Sequence, residues 1–147
     1  MFEKKLMAGW GDMDFNSHMR NTAFMDKAGD VRMLFLSENG FPMSELMRLR
    51  IGPVVMKDEI VYFKEVMLLD EITVTLGVAG LSPDGSRWML RSDVIRPDGK
   101  LAARITSTGG WLDLGARKLI VPPPALMATW QALSKSDDFQ ELATSIK

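Results

Sequence analysis

The spacing of apolar positions changes along this chain, and each change marks an element. Residues 2–10 read as a first strand running into a turn rich in glycine and aspartate. Between residues 19 and 37 the period becomes helical: Phe24, Ala28, Val31 and Phe35 recur at i, i+4, i+7 and i+11, while Arg20, Lys27 and Asp30 take the other side. The spacing predicts a helix capped by Asn16 or Ser17, whose side chains accept from the free amides of a first turn. It stops near Asn39-Gly40, a pair suited to a left-handed C-terminus. Gly29 lies inside it at a cost of about 1 kcal/mol relative to alanine, which reads as a close-packing position. Residues 41–50 form a connection with one helical turn at 44–49.

Past Pro53 the pattern is that of a sheet. Residues 54–66, 71–79, 87–95 and 101–112 are rich in β-formers and are separated by turn signals. These are Leu69-Asp70, Ser82-Pro83-Asp84-Gly85 and Pro97-Asp98-Gly99-Lys100, and the last two share a Pro-Asp-Gly core suited to tight turns between antiparallel strands. Pro122-Pro123-Pro124 ends the last strand, because proline cannot donate to a ladder, and suits the first turn of a helix over 125–133. Residues 137–147 are read as a further short helix. One strand, one long helix and four antiparallel strands make an α+β chain in which a single helix covers one sheet face.

Composition removes several functions. A chain of 147 residues fits one domain with a real core. A net charge of −1 leaves no basic footprint for nucleic acid. No apolar run approaches the roughly 18 residues of a membrane span. The first residues, Met-Phe-Glu-Lys-Lys-Leu, lack the apolar core and cleavage site of a signal peptide, so a cytoplasmic setting is expected. With no cysteine there are no disulfides, thiolate nucleophiles or cysteine-based zinc sites. The 12 methionines read as adaptable core filler.

The stretch with candidate chemistry is the turn before the helix, where Asp12, Asp14 and His18, the only histidine, fall within seven residues. Asp12-Met13-Asp14-Phe15-Asn16 opens like a calcium loop, but such a loop needs glycine at its sixth position and glutamate at its twelfth. Ser17 and Ala23 stand there. A catalytic metal on Asp12, Asp14 and His18 lacks further ligands nearby, and no Gly-x-Ser-x-Gly elbow presents a serine nucleophile. Two readings use only what is present. Either the aspartates merely cap and stabilise the helix start, or a carboxylate faces free helix amides that polarise a carbonyl, an arrangement suited to hydrolysing an activated acyl group.

The run Trp10-Gly11-Asp12-Met13-Asp14-Phe15-Asn16-Ser17-His18-Met19-Arg20-Asn21-Thr22-Ala23-Phe24, with Asp30 and Arg32 downstream, resembles the signature of hotdog-fold acyl-CoA thioesterases. More narrowly it is similar to the 4-hydroxybenzoyl-CoA thioesterase-like group. That pattern is Gly-Asp-x-Asp, a short turn, His-x-x-Asn, an aromatic, and acidic-x-Arg along the helix. Ser17 stands where glycine is common and Phe24 where tyrosine is common. The resemblance covers about residues 2–125, leaving 125–147 as a helical tail of one hotdog domain spanning 1–147.

The resemblance implies a curved antiparallel sheet around one long central helix. It places the catalytic aspartate, general base or nucleophile, on Asp14, with Asp12 in support. It places the carbonyl-polarising helix amide at about Asn21, and His18 on the family's histidine, in a catalytic or a structural role. It implies CoA as part of the substrate rather than a cofactor, no metal, and phosphate contacts at Ser86, Arg87, Arg117 and Lys118. It also implies a homodimer or homotetramer with sites between subunits. Phe24, Met25 and Phe63 are candidates for pocket wall or core. Two other outcomes belong to the same fold: an acyl-thioester dehydratase or hydratase pairing Asp14 with His18, and a non-catalytic acyl-CoA binding domain.

Overall fold

In a computed structural model, which describes residues 1–146, the long helix α1 runs from Asn21 to Glu38. It buries Phe24, Ala28, Val31 and Phe35, the stripe predicted from the sequence. The strands are β1 (Phe2–Met7), β2 (Ile51–Tyr62), β3 (Glu71–Leu81), β4 (Arg87–Ile95), β5 (Leu101–Asp113), β6 (Lys118–Ile120) and β7 (Lys135–Glu141). Helix α2 covers Met43–Leu49 and helix α3 covers Pro124–Gln131. The main sheet has the order β1-β3-β4-β5-β2, antiparallel throughout, with β6 added beside β5. This is the α+β hotdog arrangement, one long helix against one sheet.

Strand alternation decides which face the helix covers. Ile72, Val74, Leu76 and Val78 of β3, Trp88, Leu90 and Val94 of β4, and Ala103, Ile105 and Trp111 of β5 are buried in one core with the α1 stripe. Trp130 of α3 closes one end of it. It stacks on Phe35 at 6.0 Å and Trp111 at 5.6 Å, and meets Trp88 edge-on at 6.1 Å. The two Pro-Asp-Gly turns join β3 to β4 and β4 to β5, with Gly85 and Gly99 at φ 75° and 82°. At Gly109 glycine is dictated by packing, since a Cβ there would collide with the Val54 carbonyl oxygen and the Trp88 ring.

Three expectations are corrected. Residues 137–147 are not a short helix: Lys135–Glu141 form β7, which joins β3 in parallel beyond the end of β1, and Lys147 lies outside the described residues. The edge of β3 left open beyond β1 supplies its partner. The cap of α1 is neither Asn16 nor Ser17, because both lie in the preceding turn and the helix begins only at Asn21; Arg20 occupies the position without a side-chain cap. Gly29 is not a close-packing position, as nothing lies within 4 Å of where its Cβ would sit. In addition, Phe63 and Met25 are exposed, while Leu126, Trp130 and Leu133 carry the core past residue 125.

Candidate active site

The turn before α1 is built by its own backbone. Trp10–Asp12 form one 3₁₀ turn, and the chain then doubles back, with Met13 bridged to Met19 and the Asp14 amide donating to the His18 carbonyl at 2.7 Å. The reversal passes through Ser17 in the left-handed region at φ 63°, the position where glycine is common in the resembling pattern. A short polar side chain tolerates that conformation better than a bulky one. The returning arm is pinned to the sheet region, His18 bridging Met67 and the Met19 amide donating to Val66 at 2.8 Å.

The two aspartates do different work. The Asp12 carboxylate accepts from the Gly9 amide at 2.8 Å and lies 2.9 Å from the Lys27 ammonium on α1. Its backbone carbonyl accepts from the Arg20 amide at 2.8 Å. Partial burial works to raise its pKa, but the Lys27 and Gly9 hydrogen bonds and the Arg20 charge outweigh that and hold it below the ordinary 3.8. Asp12 is thus a fixed anion that ties the turn to the helix. Asp14 is exposed, and its Oδ1 accepts from the amides of Asn16 at 2.8 Å and His18 at 3.2 Å. Its Oδ2 has no hydrogen-bond partner among the described residues, so one carboxylate oxygen is anchored and the other faces outward.

Asn21 opens α1, and the amides of a first helical turn have no partner within the helix. Its carbonyl accepts from the Tyr62 hydroxyl at 3.0 Å, which fastens the helix start to β2. Burial pushes the Tyr62 phenol up, so it remains a donor at neutral pH. The Arg20 guanidinium donates to the Gly11 carbonyl and to Thr22 Oγ1 and pairs with Asp26 at 3.7 Å. His18 contributes its backbone to this geometry; its imidazole makes no hydrogen bond to Asp14 among the described residues. Lys27, Tyr62 and Arg20 were missed from sequence. Lys27 lay one helical turn from the motif, and Tyr62 meets it only through the fold.

The proposed phosphate contacts lie elsewhere. Arg87 pairs with Gly110 and Tyr62 with Ala103 on β5, a separation of about 23 Å of strand. Arg117 and Lys118 are exposed beyond that far end, on the turn into β6. Ser86 is fully buried, and its hydroxyl is shared among Asp84 at 2.7 Å, Thr144 at 2.9 Å and the Ser145 amide at 2.9 Å. It fastens the C-terminal segment and leaves a phosphate no approach. A cleft of about 470 Å³ lies on the opposite sheet face, lined by Thr75, Gly77, Arg91, Asp93 and Arg104 with the 134–138 segment. It contains none of the candidate catalytic residues.

The profile of the thioesterase-like superfamily matches residues 8–130, taking in the turn, α1 and the main sheet except β1. The chain belongs to the thioesterase-like superfamily. That membership makes it a thioester hydrolase by class. A comparison with curated protein sequences finds no match. Among solved structures, a hypothetical protein of Staphylococcus aureus in complex with CoA superposes with a TM-score of 0.82 at 20% identity, over 92% of this chain and 86% of that one. A 1,4-dihydroxy-2-naphthoyl-CoA thioesterase from Synechocystis gives 0.80 at 15% identity, over 90% and 96%. A DHNA-CoA thioesterase from Staphylococcus aureus gives 0.79 at 15% identity, over 88% and 87%. At these identities the superpositions establish the fold this superfamily member shares with them. No helix among the described residues is long and apolar enough to cross a membrane.

Proposed function

We propose that this chain is a cytoplasmic acyl-CoA thioesterase in which Asp14 is the general base or nucleophile. The observation that carries the reading is the Asp14 carboxylate, held at Oδ1 by two amides of its own turn and open at Oδ2, beside a helix start with no side-chain cap. As base, Oδ2 takes a proton from water as the water oxygen bonds to the thioester carbon. As nucleophile, it bonds to that carbon itself, and water later releases the acid from the anhydride. In both cases the C–S bond breaks, the thiolate leaves as CoA, and the amides at Asn21 and Thr22 receive the developing oxyanion. Asp12, fixed by Lys27, holds the turn in register with the helix.

The working unit is a homodimer or a higher homo-oligomer. Among the described residues, strand β2 ends the sheet with its outer edge unpaired, and Val55, Met56, Val61, Phe63, Met67 and Leu69 are exposed along it and just beyond. An open edge beside apolar side chains is a template for a second copy. Arg87, Arg117 and Lys118 are the proposed contacts for the charged end of CoA; charge reversal at Arg117 and Lys118 raises KM for an acyl-CoA but not for the matching pantetheine thioester.

Thiol release from a panel of short, long and aromatic acyl-CoAs, run with light scattering at assay concentration, tests the proposal. Hydrolysis by an oligomer supports it. Binding of CoA thioesters without thiol release identifies a binding domain instead, and hydration of crotonyl-CoA without thiol release identifies a hydratase. Full turnover by a monomer refutes the shared site.

A further inference from the structure

Helix α1 is tied to strand β2 at two points. At the catalytic end the Tyr62 hydroxyl holds the Asn21 carbonyl. At the far end Arg32 Nη2 donates to Ser107 Oγ at 3.1 Å, and the Ser107 hydroxyl donates to Asp58 Oδ1 on β2. At about 100° per residue, positions 21, 25, 29 and 32 share one flank of the helix. On β2, positions 58, 60 and 62 share one face by strand alternation. Between the anchors lie exposed Met25, half-buried Ile60 and Gly29, with open space where a side chain would stand. These positions form one continuous flank that starts at the first amides of α1 and ends at a guanidinium.

That guanidinium is incompletely satisfied. Arginine carries five N–H donors; Ser107 takes one, and Nε is buried without an acceptor among the described residues. The guanidinium carbon sits 5.6 Å from the Trp88 ring centre. Burial weakens its hold on the proton and Asp58 strengthens it, and it remains a cation throughout. A buried charge with spare donors gains from an anion that reaches it and loses when an alkyl end is placed against it.

We infer that the acyl chain runs along this flank and that Arg32 receives a carboxylate at its distal end, so that the preferred substrates are half-thioesters of medium-length dicarboxylic acids with CoA. The assignment rests on the thioesterase reading for the position of the thioester. Eleven residues of helix from Asn21 to Arg32 span about 16 Å, and the arginine side chain leans back toward the N-terminus. With carbon–carbon bonds of about 1.5 Å, a zigzag chain of about eight carbons covers what is left.

The test compares two non-hydrolysable CoA thioethers of equal length, one ending in methyl and one in carboxylate, by direct binding. Thiol release is followed on octanoyl-CoA and its ω-carboxylate counterpart. The carboxylate form binds about ten- to hundredfold more tightly, the worth of one or two charge-assisted hydrogen bonds. In Arg32→Gln that ratio falls to about one, and in Asp58→Asn, which removes the competing anion, it rises. Equal or tighter binding of the methyl form by the wild type overturns the inference, as does a ratio unchanged in a folded Arg32→Gln. If Arg32→Gln does not fold, Asp58→Asn decides: an unchanged ratio overturns it. Carboxylate-selective binding with no thiol release from either substrate leaves the Arg32 site assigned and removes the thioesterase reading.

Discussion

Replacing Lys27 by methionine isolates the contact that ties the turn to α1. Lys27 and Asp12 meet at 2.9 Å with side-chain exposures of 15% and 20%, between a surface pair and a fully buried one. Exposed pairs contribute about 0–1 kcal/mol, and breaking a buried one costs about 3–5, so the loss here is about 2 kcal/mol. For a domain of this length that lowers Tm by about 4–8 °C. The sign with pH follows from Asp12, whose folded pKa lies below the ordinary 3.8 because the Lys27 and Gly9 hydrogen bonds overcome burial. A depressed pKa contributes stability that is present above the unfolded value and is lost as pH falls through the folded one. The gap between wild type and Lys27→Met is therefore full at neutral pH and closes below about pH 4. Melts followed by circular dichroism across that range measure it. Equal Tm values at neutral pH, or a gap that stays constant as Asp12 becomes protonated, would refute the reasoning.

Two other substitutions probe different levels. Trp130→Ala empties the junction of Phe35, Trp88 and Trp111 and costs about 3–5 kcal/mol, or about 6–20 °C in Tm; a loss under about 1 kcal/mol by urea titration contradicts its place in the core. Tyr62→Phe removes the hydroxyl that holds the Asn21 carbonyl. It lowers kcat several-fold at a stability cost of about 1 kcal/mol or less, and an unchanged kcat removes Tyr62 from the site's support.

Periodicity identified α1 because its core stripe obeys one repeat, and the Pro-Asp-Gly turns located two hairpins because their backbone demands that chemistry. What the sequence hid are features made by distant partners. Strand β7 forms because the edge of β3 is free beyond β1, which no local pattern in residues 135–141 announces. The start of α1 lies at Asn21 because the backbone reversal through Ser17, closed by the Met13–Met19 bridge, occupies the residues before it. The motif placed Asp12 and Asp14 together, but only the fold separates them: Lys27 claims one, while the other keeps a free oxygen. Ser86 read as a phosphate contact beside Arg87, and it is buried because the C-terminal segment folds over it.

The central claim is that Asp14 carries the chemistry, and Asp14→Asn tests it most directly. Asparagine keeps the Oδ1 acceptor for the Asn16 and His18 amides and removes only the charge, so the fold and Tm stay within a degree or two of wild type. Thiol release from the best acyl-CoA substrate falls by about 10²–10⁴-fold. An Asp14→Asn protein that releases thiol at close to the wild-type rate contradicts the account.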